Sequence, residues 1–209
     1  MPDNGDHFYE AVRTFAHDVV RALGRIVGLK QLSAETGISV AMLSRYTRRR
    51  SKPSRSYMHR LLRYIDVNSE ELLRAAARSF IAEPVQRDMQ ILLATVIANQ
   101  FRGSIDLVVG LLDVTFPVAV LVSTFLDRPL GSAWYEGASI PRSMKCVLEG
   151  CGGGQRLACY SIPQLSGGES SVFIVSPFAP NCISHAVRRH LERIGATVKV
   201  LNLASYINE

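Results

Sequence analysis

The sequence predicts two structural classes in series: an all-α N-terminal domain, residues 1–82, and a C-terminal α/β domain, residues 85–209, on a mostly parallel sheet. Three observations predict this. Apolar residues recur at helical spacing throughout the first third. Pro84 then interrupts the chain. Beyond it, strand-like apolar runs alternate with helical segments, as in a sheet carrying helices on its faces. With 209 residues, 47% of them hydrophobic and 20% charged, the chain can bury real cores and lacks a disordered composition.

Each element has a local reason. From Tyr9 to about Val27, Val12, Phe15, Ala16, Val19, Val20 and Leu23 mark one face of a single long helix. Leu29–Thr36 is a short helix stopped by Gly37. Val40 to about Arg48 is the next, with Ser39 as N-cap. After Pro53, Ser54 opens a helix through Tyr64. Asn68 and Glu71 have capping-box spacing for one running to Phe80. Val85–Phe101 is apolar and helical, and Gly103 ends it. Strands are expected at Ile105–Val109, Ser132–Tyr135, Leu157–Ile162, Val172–Val175 and Thr197–Leu203. Helices are expected at Pro117–Leu126 and Cys182–Ile194. The Gly-rich stretch 136–156 reads as irregular.

The formal charge of +6 is concentrated. Between Arg21 and Tyr64 stand eleven arginines and lysines against one acid, Glu35. Clustered positive charge suits a polyanion such as double-stranded DNA; a solvated basic face is the plainer account. Ile105–Leu126 has the apolarity of a membrane helix, but Asp106, Asp113 and Pro117 argue for a strand, a turn and a helix instead. No basic-then-apolar leader opens the sequence, so a cytoplasmic protein with no membrane partner is expected. Cys146, Cys151, Cys159 and Cys182 lack paired zinc-ligand spacing, and no metal or other cofactor is expected. Thiols are the default in that compartment; a Cys146–Cys151 disulfide is the alternative, chiefly in a hyperthermophile.

The segment Leu29-Lys30-Gln31-Leu32-Ser33-Ala34-Glu35-Thr36-Gly37-Ile38-Ser39-Val40-Ala41-Met42-Leu43-Ser44-Arg45-Tyr46 meets the needs of two crossing helices. Leu32 and Leu43 face the shared core, Ser33 and Ala34 are small where the helices approach, Gly37 supplies a left-handed turn residue, and Ile38 plugs the turn. With Lys52-Pro53-Ser54 downstream, residues 20–65 resemble the lambda-repressor-like (Xre-type) helix-turn-helix family. Leu29 stands where that family usually has glutamine. The resemblance implies that Val40–Arg48 enters the DNA major groove. Ser39, Val40, Ala41, Ser44 and Arg45 would lie near the bases, and Arg45 alone can grip a guanine bidentately. Arg48, Arg49, Arg50, Lys52 and Arg55 would hold phosphates.

Two later segments resemble a type I phosphoribosyltransferase domain. The first is Ile105-Asp106-Leu107-Val108-Val109-Gly110 through Phe116-Pro117-Val118-Ala119. The second is Val172-Phe173-Ile174-Val175-Ser176-Pro177-Phe178-Ala179-Pro180-Asn181-Cys182-Ile183-Ser184, with its following helix. The enzymes carry two acids and a Thr-Gly-Gly-Thr-like phosphate turn in the second segment. Here Ser176-Pro177 replaces the acids, and Asn181, Cys182 and Ile183 replace the turn. Phe116 takes the place of a glycine in the pyrophosphate loop. The resemblance implies a degenerate domain with no catalytic residues. Asp113, Thr115, Asn181 and Ser184 sit at the loops above the strand ends, where open sheets place ligands; they either hold a small molecule or are plain loop residues.

A helix-turn-helix joined to a degenerate phosphoribosyltransferase-like domain is similar to purine-operon repressors and several archaeal regulators. The similarity implies a transcription regulator, not an enzyme. Its partners would be double-stranded DNA, a second copy of the chain and an unidentified small-molecule effector, with residues 85–209 as the sensor and dimerisation domain. The alternatives are an architectural or replication-associated DNA-binding dimer without effector, and an active phosphoribosyltransferase with a DNA-binding appendage.

Overall fold

The computed structural model describes residues 4–135, 145–151, 154–163, 168, 170–175 and 181–206. The chain divides into two compact units, residues 1–102 with 124–127, and residues 103–123 with 128–209.

The first unit is helical. Its elements are α1 (Asn4–Thr14), α2 (Ala16–Ile26), α3 (Leu29–Thr36), α4 (Val40–Thr47), α5 (Arg55–Val67), α6 (Ser69–Ala82) and α7 (Arg87–Phe101). The single long helix expected at the start is two, because Phe15 leaves helical geometry at φ −104° and ψ 13°. The core is made where helical periodicity puts it. Val12, Val19, Val20, Leu23, Leu32, Ile38, Leu43, Leu61 and Ile65 are all fully buried. Asn68 does not cap α6 as its spacing suggested; its amide donates instead to the Tyr64 carbonyl, 2.9 Å away, at the end of α5.

Helix α7 falls on the N-terminal side of the division between units, not after the boundary drawn at Pro84. It packs on α2, α5 and α6. Its run from Ile91 to Ala98 is buried on every face, so the helix needs partners all round. Asp88 at its first turn is 6% exposed and pairs with Arg25 of α2 at 2.9 Å. The proline lies in a short link between α6 and α7 within the helical unit.

The second unit is a six-stranded sheet with order β3-β4-β2-β1-β5-β6. Strands β1 (Leu107–Leu111), β2 (Leu130–Tyr135), β5 (Ser170–Val175) and β6 (Thr197–Asn202) run parallel. Strands β3 (Lys145–Cys151) and β4 (Gly154–Ser161) add an antiparallel hairpin beside β2. Helices α8 (Phe116–Leu126) and α9 (Asn181–Arg193) make the crossovers, and a short 3-10 turn, Leu203–Tyr206, follows β6. Every residue of central β1 is buried, as an apolar run covered on both faces should be. Its alternation divides the helices between the faces. Leu107, Val109 and Leu111 pack with Ala186, Val187 and Leu191 of α9. Gly110 points the other way, and a Cβ there would stand 2.5 Å from the Ala119 Cβ of α8. Glycine at this position lets helix and strand close up.

Strand β3 was expected to be irregular. Its sequence, KCVLEGC, shows no clean alternation, yet as an edge strand it needs pairing on one side only. Cys159 of β4 is buried and disulfide-bonded, which overturns the expectation of a thiol there. The register sets Cys146 opposite Cys159. Cys146 and Cys151 lie on one extended strand, about 16 Å apart at ordinary strand rise, beyond the reach of a disulfide.

Candidate nucleic-acid interface

The turn between α3 and α4 has the geometry its residues demand. Gly37 adopts φ 66°, and its N–H closes α3 on the Ser33 carbonyl. Ser39 accepts from the Met42 N–H and so caps α4. Arg60 of α5 donates to the Gly37 carbonyl at 3.3 Å, bracing the turn from outside. Leu32, Ile38, Leu43 and Tyr46 are buried beneath it. The opposite face of α4 is open: Ser39, Val40, Ala41 and Arg45 are exposed and Ser44 is half-buried.

The carboxyl end of α4 is held by α2. His17 Nδ1 lies 2.8 Å from the Tyr46 carbonyl, and Arg21 donates to the Thr47 carbonyl at 3.1 Å. The Tyr46 carbonyl also accepts the Arg49 N–H at 2.9 Å, and Arg21 places positive charge at the carboxyl end of α4, where the helix dipole favours it. Sequence reasoning counted Arg21 only as part of the basic cluster. Its pairing with Thr47 could not be read from a spacing of twenty-six residues.

Beyond α4, Arg48, Arg50, Lys52 and Arg55 are exposed, as phosphate-binding cations must be. Arg49, expected among them, is exposed too and also holds an ion pair. Its guanidinium bonds Asp18 of α2 at 3.0 and 3.3 Å, and Asp18 is buried. A buried carboxylate holds its counter-charge because unpaired it would be costly. Arg55 also lies over the ring of Tyr9, 5.4 Å from its centroid. Burial pushes the Tyr46 phenol above its usual range, with a smaller push from Tyr57.

In the second unit, sheet order reverses between β1 and β5, with crossovers leaving to opposite sides. The carboxyl ends of these two strands therefore form the crevice where such sheets bind ligands. The loop after β1 carries Asp113 and Thr115, and α9 begins at Asn181 with Ser184 in its first turn. Asp113 and Thr115 close on each other: Asp113 Oδ1 accepts from the Thr115 N–H at 2.8 Å and from its hydroxyl at 2.7 Å. Thr115 is fully buried, so its hydroxyl serves the loop rather than the crevice. Asp113 Oδ2 is buried with no hydrogen-bond partner among the described residues. Ser184 is half-buried. The side chain of Asn181, and residues 176–180 with Ser176 and Pro177, lie outside the described residues.

Residues 27–72 match the family model for the helix-turn-helix, which spans the turn, both flanking helices and the basic segment just built. A search of curated proteins returned no match. Among solved structures, the chain is similar to adenine phosphoribosyltransferases. For the enzyme from Rhodothermus marinus the identity is 19% over 68% of this chain and 66% of that one, with a TM-score of 0.42. For that from Thermoanaerobacter pseudethanolicus it is 14% over 55% and 67%, with a TM-score of 0.46. For that from Saccharomyces cerevisiae it is 15% over 56% and 76%, with a TM-score of 0.42. Among the described residues no helix is long and apolar enough to cross a membrane.

Proposed function

We propose that this protein is a sequence-specific, double-stranded DNA-binding transcription regulator. The observation that carries this is the open face of α4: Ser39, Val40, Ala41, Ser44 and Arg45 beside the exposed cations Arg48, Arg50, Lys52 and Arg55, over a helix-turn-helix core. In this mechanism the amino end of α4 enters the major groove. Arg45 reads a guanine with two parallel N–H donors. The four cations beyond α4 neutralise phosphates and release counterions, which sets register and most of the affinity. Arg49 acts through Asp18, fixing the turn that presents its neighbours.

The α/β unit, on this reading, joins two copies and senses a small molecule at the crevice of β1 and β5. A single helix-turn-helix reads few base pairs, and a two-fold pair of them reads enough for specificity. Phosphoribosyl transfer is not part of the proposal. Ser176-Pro177 supplies neither of the carboxylates that the ribose-binding motif of such enzymes carries, and Ile183 and Phe116 are bulky where phosphate turns need glycine.

The test is fluorescence anisotropy of the full chain on a duplex library across a salt series, with light scattering on the same sample. A steep loss of affinity with salt, a selected sequence preference and a dimeric mass are expected. Affinity that ignores salt, or binding no tighter to any selected sequence than to random duplex, would overturn the reading.

A further inference from the structure

Val40 is the first residue of α4, and its side chain is 41% exposed. Isolated apolar side chains are ordinary on a protein surface. Val40 is set apart by its surroundings. No acidic residue stands between Glu35 and Asp66, whereas Arg45, Arg48, Arg49, Arg50, Lys52 and Arg55 all stand there and are exposed. No other large apolar side chain from Leu29 to Ile65 is exposed. A lone apolar group in so positive a segment suits a partner that is anionic outside and apolar at one point within. Double-stranded DNA is such a partner. Along the floor of its major groove the base edges present one apolar group, the 5-methyl of thymine.

The rest of the open face leaves that group to Val40. The Ser39 hydroxyl oxygen already accepts from the Met42 N–H at 3.4 Å, in the cap of α4. Ala41 is exposed and small, so the amino end of the helix can come close to the bases. The Arg45 guanidinium reaches back along α4 to Met42 Sδ, 4.0 Å away and one turn nearer the amino end. A thioether is a weak acceptor, which a guanine edge readily replaces. Val40 and Met42 are separated by about 3 Å along the helix axis. That is close to the step of about 3.4 Å between successive bases of a strand. On the reading of α4 as the helix that enters the major groove, we infer that Val40 is a specificity-determining residue. It packs on the 5-methyl of a thymine within two base pairs of the guanine that Arg45 reads. Cytosine lacks the methyl and leaves a gap there. A purine sets its polar N7 against the valine, where the acceptor goes unpaired.

The test takes the duplex that the full chain selects from a random library. Each thymine within two base pairs of the arginine-read guanine, on either strand, is replaced singly by deoxyuridine, which lacks only the methyl. Affinity is read by fluorescence anisotropy. At one thymine the unmodified protein should bind about fourfold more weakly after replacement, the worth of one buried methyl group. Val40→Ala should lose affinity for the thymine duplex and bring the ratio between the two duplexes below about twofold, the signature of direct coupling. Arg48→Ala should weaken both duplexes and keep the fourfold ratio. Because Val40 is exposed, Val40→Ala should melt as the unmodified protein does. Deoxyuridine without effect at every such thymine, a ratio unchanged in Val40→Ala, or a selected duplex with no thymine there would each overturn the inference while leaving sequence-specific binding intact. A library from which no sequence is selected would overturn that reading and the inference with it.

Discussion

Arg49 donates to both carboxylate oxygens of Asp18, at 3.0 and 3.3 Å, while its own backbone sits in the left-handed region at φ 57°. An arginine in that conformation costs roughly 1–2 kcal/mol, which a glycine would not incur. The ion pair offsets this cost and supplies Asp18, 4% exposed, with its counter-charge. Arg87 stands further off, 3.9 Å from Oδ2. Arg49→Ala should therefore lower stability by about 1–3 kcal/mol, within the range for a buried acceptor losing its partner. Arg49→Gly should lose less, because it sheds the backbone cost as well. Urea unfolding of the two variants checks the order; equal stability of Arg49→Ala and the unmodified protein would remove the pair from the account.

On DNA, the arginines of the basic segment should separate by role. Arg45→Ala should cost roughly 1–3 kcal/mol and relax preference at one base step. Arg48→Ala and Arg50→Ala should instead weaken all sequences alike, each reducing the log–log salt slope by about 1. Anisotropy titrations on matched and mismatched duplexes distinguish the two behaviours.

Alkaline pH should unfold the protein through its buried phenols. Burial raises the pKa of Tyr46 and of Tyr64 above 10.0, with smaller contributions to Tyr46 from Tyr57 and to Tyr64 from Glu35 and Glu71. The unfolded chain then gives up these protons first. The associated stability is whole below pH 10.0 and is lost as pH rises through the folded-state values. A Tm series above pH 9 should fall more gently for Tyr46→Phe than for the unmodified chain. Parallel curves would show that other groups govern the alkaline limit.

Gly110→Ala should loosen the α/β unit selectively. The added methyl would meet the Ala119 Cβ at 2.5 Å and the Phe116 ring at 3.0 Å, so α8 must move off β1. Overpacking of this kind costs about 1–3 kcal/mol. Hydrogen exchange should quicken in β1, β2 and α8 and stay unchanged in α3 and α4. Uniform protection in all five would mean the contact is absorbed without movement.

Much of the architecture was legible because it is local. Gly37 and Ser39 declare a turn and a cap through their own backbone and hydroxyl, whatever lies beyond. The strand, turn and helix read across Ile105–Leu126 stand as β1 and α8, since two aspartates and a proline exclude one continuous apolar helix. Strand β3 was illegible for the opposite reason. Lys145, Glu149 and Gly150 break any apolar alternation, and pairing with β4 is what places the strand. The candidate site divides the same way. Exposure of Arg45, Arg48, Arg49 and Arg50 follows from position on a helix or turn, whereas the ion pair of Arg49 depends on an aspartate thirty-one residues earlier.

The sequence by itself determined where the positive charge lies, where α3 and α4 turn, and that an α/β sheet follows a helical unit. These depend on residues within a few positions of one another, whose steric and hydrogen-bonding preferences hold in any context. Only the tertiary structure decided that α7 belongs with the helical unit, that Thr115 turns inward to Asp113, and that Arg49 pairs with Asp18. Those outcomes rest on which distant surfaces bury one another, and burial is a property of the assembled fold that no local pattern encodes.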